Sequence, residues 1–119
     1  MSRSVHFVNE LVLRVPEFEE MLAIHVDDQN GEVLPHVFFW DVTVEMVDGY
    51  LGKGEYGANW REVLEFMEEC AGLGVAEVDE VIVTSFLGNL PFPGSPGYGI
   101  VEELSPTLAV KFSRIRPDG

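Results

Sequence analysis

Cysteine is almost missing from this chain: Cys70 is the single thiol in 119 residues. No internal disulfide can form, so the fold must rest on its core, and a reducing, cytoplasmic location is the expectation. No uninterrupted apolar stretch approaches the 18 or so residues of a membrane-spanning helix; the longest, such as Val37 to Trp40, are core-sized. The opening Ser-Arg-Ser-Val-His carries no apolar run of signal-peptide length. Cations are scarce too. Seven Lys and Arg face twenty-one Asp and Glu, a formal net charge of −14. Between Val15 and Val110 only Lys53 and Arg61 oppose nineteen acids, a local balance of −17. Such a surface repels phosphate backbones and anionic lipid, which argues against nucleic acid and membranes as partners. The G-x-S-x-G, P-loop, H-E-x-x-H and EF-hand patterns are absent. Gly88-Asn89-Leu90-Pro91 lacks the strand–turn–helix setting of a phosphate cradle.

What is present is core material. The chain is 46% apolar with eight Phe, two Trp and three Tyr, and a chain of this length buries roughly two-thirds of its unfolded surface. One helical domain over residues 1–119 is expected, with its ordered core at about 4–116. Ser4 can cap a first helix whose stripe is Val5, Val8, Leu11, Val12 and Val15. Pro16 ends it and can open a second helix carrying Phe18, Met21, Leu22 and His25 or Val26, which Asp27-Asp28-Gln29-Asn30-Gly31 stops. From Pro35 to Leu51 the signals conflict. Val42, Val44 and Met46 alternate with polar residues as in a strand, yet the run is long for a strand, and length favours a helix. After a glycine-containing loop, Asn59 caps a helix with the stripe Trp60, Val63, Leu64, Met67 and Ala71. Ala76 to Leu90 reads as another, burying Val78, Val81, Ile82, Phe86 and Leu90. Pro91 to Gly97 is a stiff exposed loop, and Tyr98 to Arg116 a final helix broken at Pro106. Short connections favour antiparallel neighbours. The expected fold is therefore all-α, five to six antiparallel helices in a compact bundle or in HEAT-like pairs.

Candidate chemistry is thin. His6 with Glu10 and Asp41 with Glu45 lie one helical turn apart, and His25 with Asp28 also fits a turn, but the Glu-x-x-His spacing of carboxylate-bridged metal sites does not occur. His36 could act as a general base oriented by Asp41 or Asp28; the better reading is a histidine that locks the preceding loop. Cys70, surrounded by Glu65, Glu68 and Glu69, should be a poor nucleophile, because acidic neighbours suppress the thiolate. Trp60, Phe66 and Phe86 are most simply core. No catalytic residue, metal or cofactor is expected.

The acids themselves are more telling. Glu62, Glu65 and Glu69 recur at three- and four-residue steps along one ridge of a helix, and Asp79 and Glu80 start the next after a short turn, so the two sets could converge. Like charges at that spacing cost a few tenths of a kcal/mol per pair, a cost that a cationic partner would relieve. A solvated surface that only confers solubility is the plain alternative.

Phe7-Val8-Asn9-Glu10-Leu11, the Arg14-Val15-Pro16-Glu17 break, Leu34-Pro35-His36, Ser85-Phe86-Leu87-Gly88-Asn89-Leu90 and Leu104-Ser105-Pro106-Thr107-Leu108 together resemble small all-helical bacterial domains of unknown function. Such domains look like those encoded beside polymorphic toxins. The resemblance spans residues 4 to 116 and implies an all-α domain with no catalytic residues to carry over; the proline-rich Pro91 to Gly97 loop departs from it. The expectation is a non-enzymatic immunity or antitoxin-like protein that covers the cationic site of a basic, nucleic-acid-directed effector through Glu62, Glu65, Glu69, Asp79 and Glu80. The alternatives are a metal-dependent enzyme or regulator using His36, His25 and nearby carboxylates, and a generic interaction module.

Overall fold

A serine starts the first helix, though not the one the spacing suggests. In the computed structural model, which describes residues 2–118, the Ser2 hydroxyl accepts the Val5 amide at 3.1 Å and caps α1 (Arg3–Arg14). Ser4 lies inside the first turn, where its amide and hydroxyl donate to Glu77 at 2.8 and 2.6 Å. A carboxylate there offsets the partial positive charge of the helix start. Helical spacing buries Phe7, Val8 and Leu11. Pro16 opens a 3-10 turn (Pro16–Phe18) that runs into α2 (Glu19–Asp28). That helix stops where Asn30 takes a left-handed conformation (φ 56°).

Residues 35 to 50 are helical, as their length argued: α3 (Pro35–Tyr50). Its strand-like alternation is coincidental, because Val42 and Met46 are buried one turn apart while Val44 faces out. α4 (Trp60–Ala71) begins where Asn59 Oδ1 accepts the Arg61 amide at 2.9 Å. The expected single helix over Ala76 to Leu90 has its predicted residues buried but not its regularity. A short α5 (Ala76–Val81) widens into a π-turn (Ile82–Phe86) and tightens to a 3-10 turn (Leu87–Asn89). Val81, Ile82, Ser85, Phe86 and Leu87 are all buried, more than one face of an α-helix can present; the wider turn accommodates them. This segment packs chiefly on α3, and the buried Thr43 hydroxyl donates to Phe39 O at 2.9 Å and Phe86 O at 3.3 Å. The final helix is likewise split, into a 3-10 turn (Tyr98–Glu103) and α6 (Pro106–Ile115), with Leu104 and Ser105 extended between them.

The Pro91–Gly97 loop is exposed only in its middle. The Arg116 guanidinium donates to the carbonyls of Gly88 and Pro91 at 2.9 Å each and to Leu90, and lies 3.8 Å from the Phe92 ring centroid. At its other end Gly97 (φ 87°) is buried so closely that a Cβ would sit 2.6 Å from Val47 Cγ1. The described residues thus form an all-α fold of six α-helices joined by 3-10 and π turns around one core. Its radius of gyration, 13.5 Å, is that of a compact chain of this length. At the centre Phe7 stacks on Phe39 (4.3 Å) and Phe66 (5.7 Å), tying α1, α3 and α4 together. Phe7→Ala removes the middle of this stack and should lower stability by about 3–5 kcal/mol, measured by urea denaturation, with Phe7→Leu costing less.

Candidate functional site

The outer ridge of α3 carries Val37, Asp41, Val44 and Asp48 at steps of four, three and four residues, and so on one side of the helix. This ridge and Ile24, His25 and Asp28 of α2 form two walls of a cleft of about 400 Å³. The third wall is the loop from Lys53 to Tyr56, and a buried acid holds it there. Glu45 accepts the Glu55 and Tyr56 amides at 3.0 and 2.9 Å. The backbone at Gly54 passes close to that carboxylate, and a Cβ there would lie 2.9 Å from Glu45 Oε2 and displace it. Glu45 is satisfied. Asp28, Asp41, Asp48 and Glu55 make no ion pair with a described residue, and Lys53 is the one cation lining the cleft.

His25 lies in the wall of this cleft, 5% exposed. Its Nε2 accepts the Leu34 amide at 3.0 Å, which places the ring proton on Nδ1. Nδ1 has no hydrogen-bond partner among the described residues, and it is not sealed from solvent. The loop-locking histidine is therefore His25, not His36 as the sequence suggested. Burial raises the Asp41 carboxyl above its ordinary range, and His25 opposes the shift only in part. Tyr56 is raised as well, by burial and then by Glu55, Glu20, Glu45 and Asp41, so four carboxylates act on one phenol.

His36 faces the other side of α3. Its Nδ1 is 2.7 Å from Ser85 Oγ and its Nε2 3.8 Å from Glu80 Oε1, which ties the start of α3 to the π-turn. His36, Val37, Trp40, Asp41 and Ser85 line a shallow pocket of about 280 Å³. Val37 and Asp41 thus border both hollows, while His25 and His36 line different ones. Among the described residues no three His, Cys, Asp or Glu side chains are grouped to hold a metal ion. No described helix is long and apolar enough to cross a membrane.

The five acids singled out from the sequence do not share one surface environment. Glu69 pairs with Arg14 of α1, Asp79 with Lys111 of α6 at 2.8 Å, and Glu80 faces His36 of α3. Glu62 and Glu65 are exposed, and no described base pairs with them. Glu68, one residue from Glu69, instead accepts the Thr107 and Leu108 amides at 3.1 and 3.0 Å and so caps α6 from another helix. The α2–α3 cleft escaped sequence reading because its acids are 28 to 55 residues into the chain, on two helices and a loop. The one signal available was the four-three-four spacing of apolar and acidic residues along α3.

The structure thus defines an all-helical domain with an acidic cleft between its second and third helices. The family model for a domain of unknown function (DUF7674) matches residues 8–111, and the chain belongs to that family. No curated protein and no solved structure matches it.

Two groups give direct tests of this electrostatic arrangement. Burial raises the Glu68 carboxyl, but hydrogen bonds from the Leu108 and Thr107 amides outweigh it and the net shift is downward. A lowered folded-state value contributes stability above the ordinary carboxyl range and loses it as pH falls through the folded value. Glu68→Ala should cost about 1 kcal/mol at neutral pH, with the gap to wild type closing below pH 4.5 in denaturation series. Burial, then Glu69, pushes the Cys70 thiol up to about 11. Alkylation by iodoacetamide at pH 8 should be far slower in the native chain than in urea, with the native rate climbing steeply towards pH 11.

Proposed function

We propose that this chain is a non-enzymatic, cytoplasmic protein-binding domain of immunity or antitoxin type, which neutralises a basic effector by covering its cationic site. One observation carries the reading: most of the carboxylates face outward, while three of the seven bases are already engaged within the fold. Arg14 and Lys111 are held by Glu69 and Asp79, and Arg116 by backbone carbonyls. These contacts leave the net charge of −14 unchanged, and only Arg3, Lys53, Arg61 and Arg114 remain to offset the field of the outward acids. Such a field accelerates encounter with a basic protein and rejects acidic ones. An effector that acts on nucleic acid has a cationic cleft of the matching sign.

The test is co-expression with the products of adjacent genes. A basic neighbour that is toxic alone, harmless when co-expressed and co-purifying with this chain is the expected result. Affinity should fall steeply between 50 and 500 mM salt. If no neighbour is toxic or bound, the proposal fails. A second reading rests on His36, whose Nδ1 is 2.7 Å from the Ser85 hydroxyl and whose Nε2 is 3.8 Å from Glu80, so that a hydroxyl, a base and an acid are neighbours. It requires esterase activity that Ser85→Ala abolishes and chelators leave unchanged; Ser85, however, is 4% exposed, and the bond equally serves as a tie between α3 and the π-turn.

A further inference from the structure

We infer that the α2–α3 cleft and the shallow pocket beside it are one docking groove for a basic amphipathic helix of a protein partner. An arginine of that helix enters the cleft, and an aliphatic side chain rests on Trp40. The inference rests on the reading that this chain binds a basic protein, and it adds where and how.

The groove has the shape of such a ligand. Val37, Asp41, Val44 and Asp48 alternate apolar and acidic character along twelve residues of α3, a row about 16 Å long. A helix laid along it meets each position at its own three- and four-residue steps. Because Val37 and Asp41 border both hollows, a charged side chain entering one and an apolar side chain in the other come from the same segment. Trp40 is 51% exposed, and a rigid aromatic beside a hollow is a typical binding anchor. Phe92, also exposed, is by contrast already covered on one face by Arg116.

The polar groups point the same way. Asp28, Asp41, Asp48 and Glu55 outnumber Lys53 around the cleft, so the occupant is cationic. A guanidinium suits it better than an ammonium, because it is less strongly hydrated and binds carboxylates in a bidentate fork. Burial that raises the Asp41 carboxyl is the condition that a bound cation relieves. His25 adds a donor beside the acids. Its ring lines the cleft and its Nδ1–H, open to solvent, has no partner among the described residues. A polar side chain of the docked helix can accept it in place of water. The exposed pair Glu62 and Glu65 has no such donor.

The probe is a synthetic 18-residue helical peptide with alternating arginine and leucine on one face, against a scrambled isomer of equal charge, titrated into the full chain. Calorimetry and the shift of the Trp40 indole N–H resonance are the readouts. The expected result is binding of the patterned peptide at least tenfold tighter than the isomer. Asp41→Asn and Trp40→Ala each weaken it at least tenfold, lysine in place of arginine weakens it, and Glu62→Lys with Glu65→Lys changes it less than twofold. Equal binding of the isomer, or undiminished binding by Asp41→Asn, overturns the groove. Should Trp40→Ala fold poorly by circular dichroism, Val44→Asp at an exposed position decides instead. A natural basic partner whose affinity ignores these substitutions sinks the groove and leaves the proposed function standing. Patterned-peptide binding without any basic neighbour does the reverse.

Discussion

Carboxylates that accept backbone amides are the interaction on which this fold depends. A chain with three acids for every base cannot pair them all, and burying an unpaired charge is costly. Three are instead placed where the backbone has unsatisfied N–H groups. Glu77 meets the start of α1, Glu68 the start of α6, and Glu45 the loop that follows α3. Each joins segments distant in sequence, so each acts as a tertiary tie as well as a cap. Ser105, at the start of α6, makes no side-chain cap of its own; Glu68 provides it from α4.

The same economy governs the bases. Arg116 gathers three carbonyls where the π- and 3-10 turns run into the proline-rich loop, the point at which irregular backbone leaves acceptors without helical partners. Arg14 and Lys111 each cross to another helix to meet an acid. Two of the five bases at the ends of the sequence thus reach acids of the middle, while Arg3 and Arg114 stay exposed. What remains outward is largely negative, and a concave, partly apolar region lined by several of these acids lies between α2 and α3. Charge and shape coincide there because Glu45, the most buried acid of α3, is committed to holding the opposite wall.

Most of the fold was legible in the residues. The stripe of α1, the break at Pro16, the Asn59 cap and the buried set of residues 76 to 90 follow from local spacing, and the helical choice at Pro35 followed from length against a misleading alternation. Irregular turns were not legible. Whether Ile82 to Phe86 winds as an α- or a π-turn depends on how many of its side chains α3 can accept, a property of two segments together. The site was less legible still. Glu62, Glu65 and Glu69 do share a ridge, but Glu69 is drawn to Arg14, and Asp79 and Glu80 turn to other helices. The loop-locking role falls to His25 and not to His36, because the loop before Pro35 folds back over α2.

By itself the sequence determined the class of fold, the single core and the sign of the surface, all of which follow from periodicity and composition along the chain. Tertiary structure alone decided which carboxylates are free. An acid on a helix surface looks the same in sequence whether it faces water, an arginine or the end of another helix. Its fate is set by the neighbour that packing brings within about 3 Å, the reach of a hydrogen bond. That is why the acidic character was evident from the first residues read, and the acidic cleft only from the fold.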